Sequence, residues 1–200
     1  MNEQKETNDM KNILVTGCNG QLGNEMQLLA TGYPEFNYFF TDVKELDITD
    51  ENAVKSFVKT NGIDCVVNCA AYTAVDKAEA DEAFCNILNH IAPGYLAKAV
   101  HEQGGCMIQV STDYVFDGTT HIPYREEEPT CPATVYGRTK LAGEEAVMRN
   151  CPESVIIRTA WLYSTFGNNF VKTMLRLGRE KESLGVIFDQ IGTPTYARDL

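Results

Sequence analysis

The sequence has little positive charge and no long apolar run. Its 17 lysines and arginines are outnumbered by 28 aspartates and glutamates, which gives a net charge of −11 at pH 7. An acidic chain repels phosphate backbones and anionic lipid headgroups, so we expect no nucleic-acid or membrane-surface partner. A membrane-spanning helix needs about 18 consecutive apolar residues, and no such run occurs.

The sequence also lacks an apolar stretch near its start. Residues 1–10 are polar and are predicted to form a disordered tail without an export signal. The 7 cysteines are odd in number and lie mostly in apolar context, which predicts free, buried thiols in a reducing cytoplasm. No histidine or cysteine set has the spacing of a zinc site, so we predict no metal ligands.

Short β-branched runs alternate with segments of helical periodicity along residues 11–200. Because parallel strands need crossover helices, this alternation predicts an α/β fold with a doubly wound parallel (Rossmann) sheet. We expect six or more strands with helices on both faces. The predicted strands are 12–16, 37–41, 64–70, 106–111, 154–159 and 185–189. The predicted helices start near Leu22, follow a cap at Thr49, span about 74–101 with a bend at Pro93, and cover 134–149 and 169–181.

Two stretches carry other signals. Residues 112–133 contain three prolines and the run Glu126–Glu128, which predicts a long loop of a functional or mobile kind. Thr195 resembles a helix cap followed by one turn at 197–200. Because domains seldom end there, we expect the Rossmann domain at 11–200 to stop before a C-terminal substrate lobe, which is largely missing.

Gly17, Gly20 and Gly23 lie between the first predicted strand and helix. There, glycines allow a tight turn and let backbone N–H groups approach a pyrophosphate at the helix N-terminus. Asp42 ends the second strand about 20 residues later, where a carboxylate binds the adenosine ribose and favours NAD over NADP. Lys44 softens that preference. A glycine turn kept for packing and an Asp that only caps a strand remain the alternatives.

Tyr136 and Lys140 lie four residues apart at the start of a predicted helix, so both side chains point to one place. A nearby cation favours the phenolate, which predicts a lowered tyrosine pKa suited to acid–base catalysis. Thr112 follows the fourth strand, at the sheet edge where such folds bind ligands. Its hydroxyl is a candidate for polarising a substrate carbonyl.

Together these motifs resemble the extended short-chain dehydrogenase/reductase superfamily. Longer strings resemble, more narrowly, the dTDP-4-dehydrorhamnose reductase family, from about residue 11 to the end. These strings are residues 68–79, 110–118, 135–144, 158–163, 167–170 and 189–194.

The resemblance implies NADPH- or NADH-dependent reduction of the C4 keto group of dTDP-4-dehydro-L-rhamnose in rhamnose biosynthesis. It implies that Tyr136 protonates the alkoxide, that Lys140 binds the nicotinamide ribose, and that Thr112, Asp113 and Trp161 meet the substrate. The implied cofactor-binding residues are Gly17, Gly20, Gln21, Leu22, Gly23, Asp42, Asp47, Ile48, Ala71, Tyr72, Thr73, Tyr136 and Lys140. Mg²⁺ follows only by family analogy, without identified ligands, and a homodimer in the cytoplasm is expected.

Two other functions fit the same motifs. A non-catalytic, dinucleotide-binding regulatory subunit, resembling that of methionine adenosyltransferase, needs the fold and the glycine turn. A reductase or epimerase acting on another nucleotide sugar needs the same catalytic residues. All of these proteins need the same cofactor-binding motifs, so those motifs do not distinguish the alternatives.

Overall fold

Five strands form one parallel sheet in the computed structural model, which describes residues 10–200. Of the predicted tail at 1–10, only Met10 falls in that range, and residues 1–9 lie outside the described residues. The strand order is β2-β1-β3-β4-β5, and every neighbouring pair is parallel, as the alternation predicts. The strands are β1 (Lys11–Thr16), β2 (Phe36–Thr41), β3 (Cys65–Asn68), β4 (Cys106–Thr112) and β5 (Val155–Thr159).

Helices provide the crossovers between these strands. They are α1 (Gln21–Ala30), α2 (Glu51–Thr60), α3 (Val75–Ala78), α4 (Glu82–Asn86), α5 (Ala92–His101), α6 (Val135–Asn150) and α7 (Phe170–Glu180). A π-helical turn (Ile87–Ile91) joins α4 to α5, and a 3₁₀ turn (Asp113–Val115) follows β4. Two short strands, β6 (Leu162–Tyr163) and β7 (Thr195–Tyr196), pair in a separate parallel sheet.

The main hydrophobic core lies between the sheet and α2, α5 and α6. Burying an aliphatic side chain there contributes about 1.5–3 kcal/mol, which is why the apolar runs of the sequence become central strands. Its fully buried members include Leu14, Val66 and Met107 from the sheet and Val54, Val58, Leu96, Val100 and Val147 from the helices.

Helix α6 packs very closely against the π-helical turn. A Cβ atom added at Gly143 would lie 2.1 Å from the carbonyl oxygen of Asn89. Pro93, four residues after Asn89, has no N–H to donate to that carbonyl, so the regular helical bond is missing there. The single helix predicted over 74–101 is therefore interrupted before Pro93. It is also interrupted at residues 79–81, so this stretch contains three helices, α3, α4 and α5.

Three local predictions were wrong. Residues 185–189 form no strand, because this segment has no neighbouring strand to pair with and Phe188 is 95% exposed. Asp50, not Thr49, caps α2, since its carboxylate accepts from Asn52 and Ala53 N–H while the Thr49 hydroxyl donates to Asp47. Thr195 pairs in β7 instead of capping a helix.

All seven cysteines are free, as predicted. Cys18, Cys85 and Cys151 are buried, whereas Cys131 is exposed, which the expectation of buried thiols did not anticipate. Over the described residues 10–200, no helix is both long and apolar enough to cross a membrane.

The Gly143 contact generates a stability prediction. Gly143→Ala forces a methyl group against the Asn89 carbonyl, so we expect the free energy of unfolding to fall by about 1–3 kcal/mol. Gly178→Ala is the matched control, because nothing lies within 4 Å of its added Cβ in α7. There alanine removes the cost of a helical glycine, about 0.5–1 kcal/mol. Urea denaturation measures both changes, and a Gly143→Ala protein as stable as the parent would contradict the close approach.

Candidate active site

The candidate site lies at the carboxyl edge of the sheet, where the loops after β1, β2, β3 and β4 meet. Backbone hydrogen bonds connect these loops: Cys18 N–H donates to Thr41 carbonyl at 3.0 Å, and Cys69 N–H donates to Thr16 carbonyl at 3.3 Å. Open α/β sheets bind ligands at this edge. The structure thus brings most of the predicted site residues to one side of the molecule.

The three glycines after β1 have different surroundings. Gly17 has a φ of +63°, and an added Cβ would lie 2.7 Å from Ala70 N. A Cβ at Gly23 would lie 2.3 Å from Gly17 O, so both positions require glycine for the turn itself. Gly20 is exposed, and its Cβ would meet only Gly17 O, at 3.2 Å. Gly20 is therefore the glycine that leaves space for a ligand.

Helix α1 begins directly after Gly20 and presents its N-terminus at this space. No side chain caps this end, and no acidic residue lies in the first turn. The N–H groups of a first helical turn have no intrahelical acceptors and carry a partial positive charge. The turn thus fits the pyrophosphate of a dinucleotide, with backbone donors near Gly20, Gln21 and Leu22.

Asp42 follows β2 and is half-buried beside the glycine turn. Its Oδ2 accepts from Asn19 N–H at 3.2 Å, and its Oδ1 accepts from Val43 N–H at 2.8 Å. The carboxylate thus lies where the sequence predicts it, while it also fixes the turn. The predicted cap role and the predicted ribose-binding role are compatible with this position.

The predicted contacts at Asp47 and Ile48 have mainly local partners. Asp47 accepts from the hydroxyl and the N–H of Thr49 (2.7 and 2.9 Å), and these bonds lower its carboxyl pKa. The Ile48 side chain packs in the main core. Only its backbone is therefore available to a ligand.

Buried Asn89 connects the loop after β3 to α6. Its Oδ1 accepts from Tyr72 N–H at 2.8 Å, and its Nδ2 donates to Tyr72 carbonyl at 3.1 Å. The same amide donates to Thr139 Oγ1 at 3.3 Å. Ala71, Tyr72 and Thr73, predicted to bind cofactor, are held beside the catalytic helix by a residue that sequence reasoning missed.

Thr112, Asp113 and Tyr136 form a connected group between β4 and α6. The Thr112 hydroxyl acts on the Tyr136 hydroxyl and lowers its pKa, and Thr112 Oγ1 donates its hydrogen to Asp113 Oδ1 at 3.1 Å. The Tyr114 ring packs edge-on against Tyr136, with centroids 5.5 Å apart. Thr134 caps α6 by accepting from Gly137 N–H at 3.0 Å, which fixes where the helix starts and so where Tyr136 points.

The pKa of Tyr136 moves opposite to the predicted direction. Burial, supplemented by the negative charge of Asp113, raises it to about 12, and the Thr112 hydroxyl offsets only part of the rise. The expected lowering by Lys140 does not occur: its ammonium group donates to the Val110 carbonyl and is not among the groups that shift the Tyr136 pKa. Tyr136 is consequently a protonated phenol at neutral pH.

Lys140 is buried one helical turn after Tyr136. Its Nζ donates to the carbonyl of Val110 in β4 at 2.6 Å. Burial lowers its pKa to about 8, while the negative charge of Glu144 opposes the change. A charged lysine buried at this edge can donate hydrogen bonds to the hydroxyls of a bound sugar.

Gln21 links the glycine turn to the segment that follows β5, and Trp161 lies in that segment. Gln21 Oε1 accepts from Asn169 Nδ2 at 2.9 Å, whereas Leu22 is buried in the interior. Trp161 has a φ of +48°, the only positive φ of a non-glycine residue among residues 10–200. Such a conformation is costly for a bulky side chain and is often kept at functional sites. Its indole is 46% exposed and lies over Gly192.

A cleft of about 1080 Å³ extends from Asp113 between α6, β5 and the loop after β4. The predicted loop at 112–133 is largely irregular and forms one wall, where Phe116 stacks on Tyr124 at 4.3 Å. Of the predicted site residues, only Asp113 lines this cleft. A cleft of this volume can admit a sugar, and it reaches Asp113, the residue after Thr112.

Glu144 and Arg158 were quoted in the sequence motifs without a role. Glu144 is buried one turn after Lys140, and Arg158 Nη2 lies 2.7 Å from its Oε2. A charged residue at i+4 from a catalytic lysine is the signal that could have identified Glu144.

One group of potential metal ligands lies at the opposite edge of the sheet. The ligand atoms of His101, Cys151 and Glu153 are within 4.8 Å of one another, and this is the one such group found among residues 10–200. Nitrogen and sulfur ligands are not the all-oxygen set that Mg²⁺ prefers. This group therefore does not fit Mg²⁺, and the Mg²⁺ expected by family analogy still has no identified ligands.

Comparison with known proteins gives consistent matches. Residues 10–200 match the family described as the RmlD substrate binding domain. A dTDP-4-dehydrorhamnose reductase of Salmonella typhimurium is 46% identical over 190 residues, which cover 93% of this chain and 63% of the relative. A Bacillus subtilis relative named spore coat polysaccharide biosynthesis protein SpsK is 42% identical over 193 residues, covering 96% of this chain and 67% of the relative.

Solved structures agree. A Clostridium acetobutylicum dTDP-4-dehydrorhamnose reductase superposes with a TM-score of 0.91 at 46% identity, covering 94% of this chain and 66% of that one. The Bacillus anthracis reductase, solved in complex with NADP, also gives 0.91, at 40% identity, covering 95% of this chain and 67% of that one. The chain thus spans about two thirds of the length of such relatives. By sequence motif, fold and the match over residues 10–200, it belongs to the RmlD substrate binding domain family.

Proposed function

We propose that this chain carries the reducing site of a dTDP-4-dehydrorhamnose reductase. The reaction is the reduction of the C4 keto group of dTDP-4-dehydro-L-rhamnose by NADPH or NADH. The observation that carries the proposal is the grouping of Thr112, at the end of β4, with Tyr136 and Lys140, one turn apart on α6, at the sheet edge that also holds the open glycine turn. The relatives' names and the NADP bound to the Bacillus anthracis structure support the substrate and cofactor classes.

The cofactor is proposed to lie along the carboxyl edge of the sheet. Its pyrophosphate would bind at Gly20 and the first turn of α1, and its adenosine ribose would lie near Asp42. Lys140 would donate to the nicotinamide ribose. When bound, the reduced nicotinamide supplies a hydride to the carbonyl carbon.

Tyr136 supplies the matching proton. As hydride reaches C4, the carbonyl oxygen becomes an alkoxide, and the Tyr136 hydroxyl donates its proton to that oxygen. The raised pKa of Tyr136, about 12, keeps the phenol protonated until a strongly basic alkoxide forms. The Thr112 hydroxyl, which donates to Asp113 in the resting structure, can turn to donate toward the phenolate oxygen and so stabilise the charge left behind.

The substrate is proposed to enter through the cleft at Asp113. Asp113 and Thr112 offer acceptor and donor groups to the sugar hydroxyls at its reacting end. Trp161, exposed on the far side of β5, offers an apolar face to the sugar or the nucleotide. Mg²⁺, a homodimer and a cytoplasmic location stay predictions.

A regulatory dinucleotide-binding chain is the alternative of a different class. It would use Gly20 and Asp42 but would have no need of the Tyr136 hydroxyl. A variant that lacks only the Tyr136 hydroxyl therefore distinguishes the two functions.

We expect Tyr136→Phe to lower turnover by about 10² or more, the scale of general acid catalysis, while cofactor affinity stays within about twofold. Loss of nicotinamide absorbance that depends on the keto sugar measures turnover. Tyr33→Phe removes a hydroxyl from an exposed ring and serves as the control. Equal turnover of the Tyr136→Phe protein and the parent would contradict the mechanism, and no turnover by the parent would contradict the proposed reaction.

We expect Gly20→Val to weaken NADPH binding at least tenfold. The valine side chain would occupy the space over the α1 N-terminus, while its backbone conformation (φ −75°) is one that valine can adopt. Gly32→Val, at the other end of α1, should bind NADPH normally. Fluorescence titration measures both affinities, and thermal unfolding confirms that the variants are folded. Unchanged binding by Gly20→Val would place the pyrophosphate elsewhere.

A further inference from the structure

We propose that Glu144 is a positioning residue: its carboxylate, held by Ser111 and Arg158 one turn from Lys140, fixes α6 against β4 and acts on the Lys140 ammonium group. The proposal rests on the proposed function, because it assigns Glu144 a role through Lys140. It needs no contact between Glu144 and substrate or cofactor.

Glu144 is buried and makes four side-chain hydrogen bonds. Ser111 Oγ donates to Oε1 at 2.5 Å. Arg158 Nε donates to Oε1 at 3.0 Å and to Oε2 at 3.2 Å, and its Nη2 donates to Oε2 at 2.7 Å. Every partner is a donor, which is the arrangement of an ionised carboxylate.

These contacts hold the catalytic helix at two adjacent residues of β4. Lys140 donates to the Val110 carbonyl, and Glu144 accepts from the hydroxyl of Ser111, the residue before Thr112. Lys140 and Glu144 are one turn apart on α6. Both side chains therefore hold α6 to the part of β4 that directly precedes Thr112.

Two cations share the carboxylate. Arg158 is only partly buried, and it is also fixed by Glu126 carbonyl at 3.2 Å and by the Phe116 ring, 5.1 Å from its guanidinium carbon. Lys140 is the more deeply buried cation and makes no direct hydrogen bond to Glu144 among those found. Its attraction to the carboxylate acts through space, in a medium that screens charge poorly.

Groups from each neighbouring element act on these charges. The thiol of Cys85 in α4 and the Glu144 carboxylate both raise the pKa of Lys140, against the larger effect of burial. Arg158 comes from β5, and Glu126, in the loop after β4, raises the pKa of Arg158 together with Glu144. Tyr136 lies on the same helix and is uncharged at neutral pH, and Asp113 acts on Tyr136. Glu144 is the carboxylate that acts on Lys140.

Removing the charge of Glu144 and removing the charge of its partner Arg158 should shift the Lys140 pKa in opposite directions. In Glu144→Gln the amide keeps the shape but not the charge, so the Lys140 pKa falls further below about 8. In Arg158→Gln a nearby positive charge is lost and the carboxylate serves Lys140 alone, so that pKa rises. Loss of packing alone would not predict opposite shifts.

The experiment follows the Lys140 side chain directly, by NMR of the chain labelled with ¹³C at lysine, against pH. Lys140→Met assigns its signal. We expect a midpoint near 8 in the parent, a midpoint at least one pH unit lower in Glu144→Gln, and a higher one in Arg158→Gln. Glu145→Gln makes the same change at the next residue of the helix, which is exposed, and it should leave the Lys140 midpoint unchanged.

A midpoint in Glu144→Gln equal to that of the parent would overturn the proposal. If Glu144→Gln does not fold, Arg158→Gln decides alone, and an unchanged or lower midpoint there overturns it. The pH dependence of NADPH affinity should shift in the same directions, with weaker binding above each midpoint. Since the NMR titration needs no turnover, shifted midpoints without keto-sugar reduction would contradict the proposed function and leave the role of Glu144 intact.

Discussion

The burial of one ammonium group, that of Lys140, is the constraint on which the catalytic half of the structure depends. A buried charge is costly unless it has close partners, and the structure supplies the Val110 carbonyl at 2.6 Å and the Glu144 carboxylate one turn away. Glu144 in turn needs donors, which Ser111 and Arg158 provide. The strand β4, the edge strand β5 and the helix α6 are thus connected by a chain of charges that ends beside Thr112 and Tyr136.

Close backbone packing allows this arrangement to form. Gly143 lets α6 approach the Asn89 carbonyl, and Asn89 then reaches Thr139 on α6 and Tyr72 in the loop after β3. At the other end of the sheet edge, the turn itself requires Gly17 and Gly23. Of the three glycines in the motif, only Gly20 leaves space for a ligand. Two of the three glycines of this motif are therefore required for folding, and Gly20 leaves the space proposed for the cofactor, which explains why one motif predicts both.

Periodicity predicted the strands and α6 to within one or two residues at most ends, because those segments are apolar on a buried face and are bounded by caps or turns. It failed at 185–189, where the apolar residues Val186, Ile187 and Phe188 remain exposed, since pattern alone does not supply a partner strand. The positions of Tyr136, Lys140 and Thr112 were predictable from the order of elements. The roles of Glu144, Arg158 and Asn89 were not, because their partners are 14 to 50 residues away along the chain.

The direction of the Tyr136 pKa has a consequence for the chemistry. A tyrosine with a lowered pKa would exist partly as phenolate and would favour removing a proton from an alcohol. Burial beside Asp113 raises the pKa instead, so the resting side chain is an acid. An acid at this position assists the addition of hydride to a carbonyl, because the alkoxide formed is more basic than the phenolate and takes the proton readily. For the proposed reaction, the protonated Tyr136 is therefore the form that the reduction uses.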